Sequence, residues 1–381
     1  MRDAIILSGW TWEARNVPER LALALNYLGA RVLYCEIPVS IFRRMPARLQ
    51  EVQKDIFRFR PSFFGQRLNR VPVLAQLQAK LLAWQILRNA ESIGLKCPLL
   101  VYPHGDDCLG IAKEFKSRNL SLVHVCMDYH LKEQLEHVRL SDLTLTIPEA
   151  AYKELRADFG DKIHRLPQLA NKAHPAREVI ARNSEPAELS TIPHPRLLYL
   201  GGIEGRVDVD LLGKLLTAHP EWHFISFGVE RSLGPPNAHV LSWRSSHELE
   251  AVLDHCDLGF LPYDCRDLKN LHCVPLKLFD YFSRGIPVVG TPIVYVQGRD
   301  GLVYTGATAE ELAECISRAL REPKDSPLRQ LRLKDAAEHS IEKVAQHLAP
   351  LLEVGSSRTL ELEKARDATQ VDSKQDFGGT S

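Results

Sequence analysis

Residues 273–293, "CVPLKLFDYFSRGIPVVGTPI", place a short helix directly before a buried strand. Pro275 suits the first helical position, because the N–H that proline lacks has no partner there, and Gly285 suits the residue just past the helix end. The pattern predicts a helix of about ten residues, about 15 Å long. The apolar run after Pro287 predicts a strand that is covered on both faces.

The charges of this helix point to a ligand site. Helices of a parallel sheet begin at the carboxyl edge of the strands, where such folds bind ligands, and the free amides of a helix start attract anions. Lys277 adds a positive charge there, and Asp280 lies three residues later on the same face, where it could accept hydrogen bonds from sugar hydroxyls. The alternative is a solvated face, with Asp280 paired to Arg284 and Lys277 extended into water.

Strands alternate with helices along the chain on both sides of this stretch. The pattern runs from "DAIILS" to a helix at 148–159, and it begins again at "RLLYLGG". A chain of 381 residues exceeds what one core usually supports. We predict an α/β protein with two Rossmann-like domains facing each other across a cleft: residues 1–170, a proline-rich linker at 171–195, a second domain with closing helices at 196–354, and a disordered tail at 355–381.

Three segments in the second half resemble a known family. "VPLKLFDYFSRGIPVVGTP" is similar to the donor-site signature of GT-B glycosyltransferases of the large retaining "group 1" kind. "LLYLGGIEGRVDVDLL" resembles the segment that opens that family's second domain, and "HELEAVLDHCDLGFLPY" resembles the segment before the signature. The similarity covers roughly residues 3–350 and is strongest in the second domain.

The resemblance implies an enzyme that moves a sugar from a nucleotide-diphosphate donor to an acceptor, without metal or other cofactor and with retention. It implies that Arg206 and Lys277 neutralise the donor diphosphate and that Asp280 binds the ribose. Two positions depart from the family, which usually has glutamate at Asp280 and often at His272. The remaining predicted donor residues are Gly201, Gly202, Trp243, Arg244, Pro275 and Leu276, with Trp243 and Arg244 against the base.

The first half offers candidate residues for catalysis and for the acceptor. "VYPHGDD" and "VCMDYH" each end a strand, which places His104 and Asp128 at the cleft, where they resemble a histidine and an aspartate of the family. A loop hydrogen bond or a helix cap is the alternative for either. Gly9, Trp10 and Trp12 follow the first strand as acceptor-side candidates; the tryptophans could stack on a sugar or pack between the domains.

Residues 41–71 carry eight basic residues against two acidic ones, interleaved with five phenylalanines. This mixture fits an anionic membrane surface or a lipid-linked acceptor, whereas a solvated insertion with its phenylalanines packed beneath it is the favoured alternative. A saccharide acceptor is equally compatible with the chain.

The remaining features narrow the class of protein. With 48 basic and 48 acidic residues, the chain is not a polyanion-binding protein, and no nucleic-acid partner is expected. Its eight cysteines lack metal-ligand spacing and indicate reduced thiols of a cytoplasmic protein, with the inner face of the membrane as the alternative location. "DVD" at 208–210 begins a helix, so a cap is favoured over a metal site.

Two other functions remain open. A sugar-nucleotide epimerase of the same double fold would need acid and base groups around one sugar and no acceptor groove. A catalytically inactive subunit that binds nucleotide sugars is the other alternative, and His272 and Asp280 keep it in view.

Overall fold

The computed structural model of this chain describes residues 2–40, 48–170, 184–228, 232–242, 246–299 and 301–353. The first half contains the strands β1 (Ala4–Leu7), β2 (Val32–Cys35), β3 (Val39–Ser40), β4 (Gln50–Gln53), β5 (Ile56–Phe59), β6 (Ser62–Phe63), β7 (Leu99–Tyr102), β8 (Leu122–Cys126), β9 (Leu143–Thr146) and β10 (Ile163–Arg165). Its helices are α1 (Val17–Tyr27), α2 (Pro72–Ser92), α3 (Asp106–Lys116), α4 (Leu131–Leu140) and α5 (Glu149–Phe159), with 3₁₀ turns at Gln66–Arg70 and Gly160–Lys162.

The second half repeats this alternation. Its strands are β11 (Arg196–Tyr199), β12 (His223–Gly228), β13 (Ala238–Ser242), β14 (Leu258–Leu261), β15 (Val288–Gly290) and β16 (Val303–Thr305). Its helices are α6 (Val209–Ala218), α7 (Ser246–Asp254), α8 (Leu268–Leu271), α9 (Leu276–Phe282), α10 (Val294–Gln297), α11 (Ala309–Leu320) and α12 (Pro327–Glu338), followed by α13 (residues 341–353).

Each half is built on its own mainly parallel sheet. The first has eight strands in the order β10-β9-β8-β7-β1-β2-β5-β4, antiparallel only between β4 and β5. The second has six parallel strands in the order β13-β12-β11-β14-β15-β16. Central strands such as β1, β7 and β14 are buried at every residue, because helices cover both faces. The predicted fold class is confirmed.

The basic insertion extends the first sheet. Residues 41–71 were predicted as an insertion, and this insertion contains strands: β4 and β5 pair antiparallel through a turn at Asp55 with φ 62°, and β5 pairs in parallel with β2. Phe59 and Phe63 are buried, as the packed-insertion alternative predicted, whereas Phe64 is exposed. Residues 41–47 lie outside the described residues.

The chain crosses back to the first half before it ends. The Ala170 amide donates to the His339 carbonyl at 2.7 Å, and His347 Nε2 lies 3.0 Å from the Arg165 carbonyl. Leu352 of α13 then lies beside Leu122 and Leu143 of the first sheet. The predicted second domain, which ends at 354, therefore includes a helix that packs against the first sheet. The tail predicted at 355–381 and residues 171–183 of the predicted linker lie outside the described residues.

Candidate active site

A cavity of about 310 Å³ lies between the two sheets. Residues that follow the carboxyl ends of strands in both halves line it: those after β1 and β8 face those after β11 and β14. Ligands of parallel α/β sheets bind at these strand ends. The residues that line the cavity from the first half include Trp10, Arg15, Asn16, Met127, Asp128 and Gln168; those from the second include Gly201, Arg206, Tyr263, Pro275, Leu276, Lys277 and Asp280.

The helix that carries Lys277 is shorter than predicted. Helix α9 has seven residues, Leu276–Phe282, and Pro275 is its N-cap rather than its first helical residue. Gly285 follows the helix with φ 67°, a conformation that glycine adopts without steric cost. The cavity lies at the start of this helix. A helix of two turns contributes little charge of its own, so the side chains must supply it.

Lys277 is held among aromatic rings. Its Nζ lies 4.0 Å from the ring centroid of Tyr199 and donates to the hydroxyl of Tyr263 at 3.2 Å. A Cβ atom at Gly201 would lie 3.8 Å from Nζ, so the backbone of the glycine turn passes close to the amine. Among the described residues no carboxylate lies within ion-pair distance of Nζ. Burial, together with the nearby charge of Arg206, lowers the pKa of Lys277 to about 7.

Arg206 lines the same cavity and contacts the other half of the molecule. Its Nη2 lies 2.9 Å from Asp128 Oδ1 in an ion pair across the cleft, and its Nη1 donates to Asn270 Oδ1 at 3.2 Å. Asn270 is buried and donates in turn to the Gly205 carbonyl at 3.1 Å, which fixes the glycine turn to α8. Burial opposes the charge of Arg206, but Asp128 outweighs it and raises the arginine pKa.

Asp280 sits in a cluster of ions that joins the two halves. Its Oδ1 lies 3.2 Å from Arg15 Nη2 and 3.0 Å from Arg20 Nη2, and burial, which raises its pKa, is outweighed by the two arginines, which lower it. Arg15 also reaches Glu250 at 2.8 Å. Glu250 and Asp254 hold Arg284, the residue that the solvated-face alternative paired with Asp280. The solvated-face alternative is therefore wrong for both Lys277 and Asp280. We call Arg15, Arg20, Glu250, Asp254, Asp280 and Arg284 the interdomain ion cluster.

His104 lies near the cavity rather than in its wall. Its ring centroid is 5.9 Å from that of His130, and its buried Nδ1 has no hydrogen-bond partner among the described residues. Burial lowers the pKa of His104, with Asp128 opposing the shift. The catalytic roles of His104 and Asp128 stay predictions.

The acceptor-side candidates divide between the cavity and the core. Trp10 lines the cavity and is 46% exposed. Trp12 instead packs edge-on against Tyr34 at 5.1 Å and its amide donates to Glu36, so these contacts lie within the first half rather than between the domains. Gly9 lies in the loop between Ser8 and Trp10 and is exposed.

The remaining predicted donor residues are placed as follows. Gly202 follows Gly201 in the glycine turn, where its Cα lies 3.8 Å from the position of a Cβ at Gly228. His272 packs against Tyr129 with the rings tilted and their centroids 4.7 Å apart, so it joins the two halves by packing. Asp208 caps α6 by accepting from the Leu211 amide at 3.0 Å, as the cap interpretation predicted. Trp243 and Arg244 lie outside the described residues.

Sequence reasoning missed the two arginines that hold Asp280. A signal for Arg20 was present: it shares the inward face of α1 with Val17, Leu21 and Ala24, and a charge on an apolar helix face implies a buried partner. Arg15 lies in the loop before the helix, where periodicity gives no information.

The comparisons with known proteins agree with this architecture. No family model matches the sequence. The protein is 28% identical over 102 residues to TuaH of Bacillus subtilis (strain 168), which is named as a teichuronic acid biosynthesis glycosyltransferase. That match covers 24% of this chain and only 25% of the relative, about a quarter of its length.

Solved structures match nearly the whole chain. Sucrose-phosphate synthase from Thermosynechococcus elongatus has a TM-score of 0.67 at 13% identity, covering 94% of this chain and 100% of its own. The UDP-forming α,α-trehalose-phosphate synthase of Burkholderia vietnamiensis has a TM-score of 0.66 at 9% identity, covering 94% and 99%. An E. coli protein described as trehalose-6-phosphate bound with UDP-2-fluoro glucose has a TM-score of 0.60 at 11% identity, covering 92% and 98%. The chain has the GT-B fold, as the resemblance implied.

Proposed function

We propose that the protein is a glycosyltransferase that moves a sugar from a nucleoside-diphosphate sugar to an acceptor, with the donor held by the second half. One observation carries the proposal: the Lys277 ammonium lies in the wall of the interdomain cavity with no carboxylate partner among the described residues. A desolvated cation without a counterion is costly to bury, unless a ligand brings the anion.

The chemistry of sugar transfer matches this arrangement. Breaking the glycosidic bond of the donor leaves negative charge on the diphosphate while the sugar becomes oxocarbenium-like. Lys277 and Arg206 face the same cavity and supply two positive charges to the leaving group. Because the site is partly shielded from water, these charges act more strongly than they would on the surface. This assignment uses no metal ion.

Asp280 can still take part in donor binding. A carboxylate offers about four acceptor positions. Arg15 uses one and Arg20 contacts both oxygens, at 3.0 and 3.2 Å, which leaves capacity for one ribose hydroxyl. We assign the ribose to this position.

The acceptor belongs on the first half, as a saccharide or a lipid-linked saccharide. Trp10 offers an exposed aromatic ring beside the cavity, and aromatic rings stack on the apolar faces of sugars. Retention of the anomeric configuration is part of the proposal. The Burkholderia xenovorans neighbour solved with glucose-6-phosphate is compatible with a polar sugar acceptor in this class of fold.

A panel of nucleotide sugars tests the proposal. The protein is incubated with UDP-, GDP-, dTDP- and ADP-linked hexoses, and released nucleotide and donor configuration are measured. We expect turnover with one base, lost in the Arg206→Ala, Lys277→Ala double variant. Unaltered turnover of that variant would refute the assignment. A donor recovered as its epimer would instead identify an epimerase.

A second function is favoured by one observation. In the interdomain ion cluster Arg15 and Arg20 pair with Asp280, the carboxylate that the resemblance assigns to the ribose. In addition, His272 stands where the family often has glutamate. A subunit that binds nucleotide sugars without turning them over would show saturable binding in the same panel and no product.

A further inference from the structure

The outer face of helix α2 is apolar although it faces solvent. Gln78, Leu82 and Ile86 lie on its buried face. On the opposite face Val73 is 67%, Leu77 57% and Trp84 50% exposed. At 100° per residue these three side chains fall within an arc of about 40°. A surface helix normally turns a polar face outward, and an exposed apolar stripe marks an interaction site.

The stripe continues at the start of the helix. Val71, the N-cap residue, is 47% exposed and Leu74 is 37% exposed. We call Val71, Val73, Leu74, Leu77 and Trp84 the α2 patch. Helix α2 spans 21 residues, so the stripe from Val73 to Trp84 covers about three turns, or roughly 16 Å.

The charge around the α2 patch has one sign. Residues 56–90 contain six basic residues and no acidic residue, in a chain whose formal net charge is zero. Arg58 bonds to Gln50 and Arg60 to Glu36. The other four are Arg67, Arg70, Lys80 and Arg88, and none of them joins an ion pair with a described residue. Lys80 falls on the exposed stripe, and the Arg88 guanidinium lies 5.4 Å from the Trp84 ring.

We propose that the α2 patch docks the protein on an anionic lipid membrane. Apolar side chains enter the boundary between headgroups and acyl chains, tryptophan is favoured at that depth, and lysine and arginine extend from it to lipid phosphates. None of the described helices is long and apolar enough to cross a membrane. We assign the membrane contact to the α2 patch and not to the phenylalanines of residues 41–71, because Phe59 and Phe63 are buried.

A second copy of the chain fits this face less well. A two-fold contact would place the same unpaired cations opposite one another, and like charges brought together repel. An acidic protein partner would satisfy the charges but would not need a tryptophan with a flanking arginine. The docking proposal stands independently of the proposed transfer activity, because no residue of the α2 patch lines the interdomain cavity.

Vesicle co-sedimentation of the full chain tests the proposal. We expect binding to vesicles of phosphatidylglycerol and phosphatidylcholine, at least tenfold weaker binding to phosphatidylcholine alone, and release in 0.5 M NaCl, where screening shortens the reach of charges. Leu77→Ser with Trp84→Ala should reduce binding at least tenfold. Lys80→Gln with Arg88→Gln should reduce it by about fivefold per charge.

Matched variants on another exposed helix serve as controls. Leu331→Ser changes a leucine of α12 that is 49% exposed, and Lys334→Gln removes an exposed cation of the same helix. Both should bind vesicles as the unchanged protein does. Nucleotide binding and thermal unfolding report whether each variant is folded. The proposal is overturned by absence of binding to anionic vesicles, by equal losses in the controls, or by a dimer in light scattering that Leu77→Ser dissociates.

Discussion

The two ends of the interdomain cavity carry charge in opposite ways. At one end Arg206 pairs with Asp128, whereas Lys277 pairs with no carboxylate of the described residues. At the other, the interdomain ion cluster sets three arginines against three carboxylates. Lys277 and Asp280 are one turn apart on a single helix, yet among the residues that the structure describes Lys277 has no charged partner and Asp280 has two. The difference separates a surface arranged for an anionic ligand from one that holds the two halves together.

Among the variants that test this difference, Asp280→Ala should cause the largest loss of stability. It leaves Arg20, whose side chain is 1% exposed, without its anion, and breaking a buried ion pair costs about 3–5 kcal/mol. We expect the thermal midpoint to fall by roughly 6 °C or more. Asp161→Ala, which removes an ion pair whose aspartate is 83% exposed, is the matched control and should cost less than about 1 kcal/mol.

A double-variant cycle sharpens that result. If Asp280 and Arg20 stabilise each other, Arg20→Met combined with Asp280→Ala should destabilise by less than the sum of the two single changes. Additive losses, or an unchanged midpoint in Asp280→Ala, would show that the cluster does not join the halves.

Lys277→Met should affect binding and leave the fold intact. A charge-assisted hydrogen bond contributes about 1.5–3 kcal/mol, so affinity for UDP, or for the base that the panel identifies, should fall about tenfold to 150-fold in calorimetry. The thermal midpoint should stay or rise, because the change removes a desolvated cation. Lys334→Met, at an exposed position of α12, is the control. A large fall in stability with unchanged affinity would show that Lys277 stabilises the fold and does not bind the ligand.

Nucleotide affinity should depend on pH through Lys277. Its pKa in the free protein is about 7, and a bound diphosphate raises it, so binding takes up a proton above that pH. Affinity should be full below pH 7 and should fall by up to about tenfold per unit above it, measured between pH 6 and 9. Lys277→Arg, which stays charged, should flatten the profile. A profile that rises with pH would contradict the assignment.

Asp128→Asn should have the smallest effect. The ion pair with Arg206 is about a quarter exposed on each side, so its loss should cost under about 1 kcal/mol of stability. Arg206 is then free for the diphosphate, and nucleotide affinity should rise a few-fold. The same experiment on Asp264→Asn, whose partner Arg266 is exposed, should leave affinity unchanged. A loss of affinity in Asp128→Asn would mean that the aspartate orients Arg206 for the ligand.

The second half was easier to predict than the first, although its edge strand β16 and the short helices α8 and α10 were not predicted. Its helices and strands alternate with a turn signal at nearly every boundary, and the resulting sheet is regular. In the first half, β4 and β5 were missed because an edge pair depends on the strand beside it rather than on its own periodicity. At Pro275 the prediction was one residue off, since proline suits both the cap and the first turn.

The candidate site was predictable only where its residues are close in sequence. Lys277 and Gly285 could be placed from one motif. The partners of Asp280 lie 260 and 265 residues away, so no local pattern identifies them. Arg206 was predicted through the resemblance, but its contact with Asp128 depends on how the halves meet.

The hydrogen bond between Ala170 and His339 also limits how the cleft can open. The bond lies where the chain returns from the second half to the first, just before α13. A contact at that point acts as a pivot: the halves can swing about it, whereas sliding apart would break it. Opening should therefore widen the mouth of the cavity, farthest from the pivot, while the spacing at Ala170 and His339 stays constant.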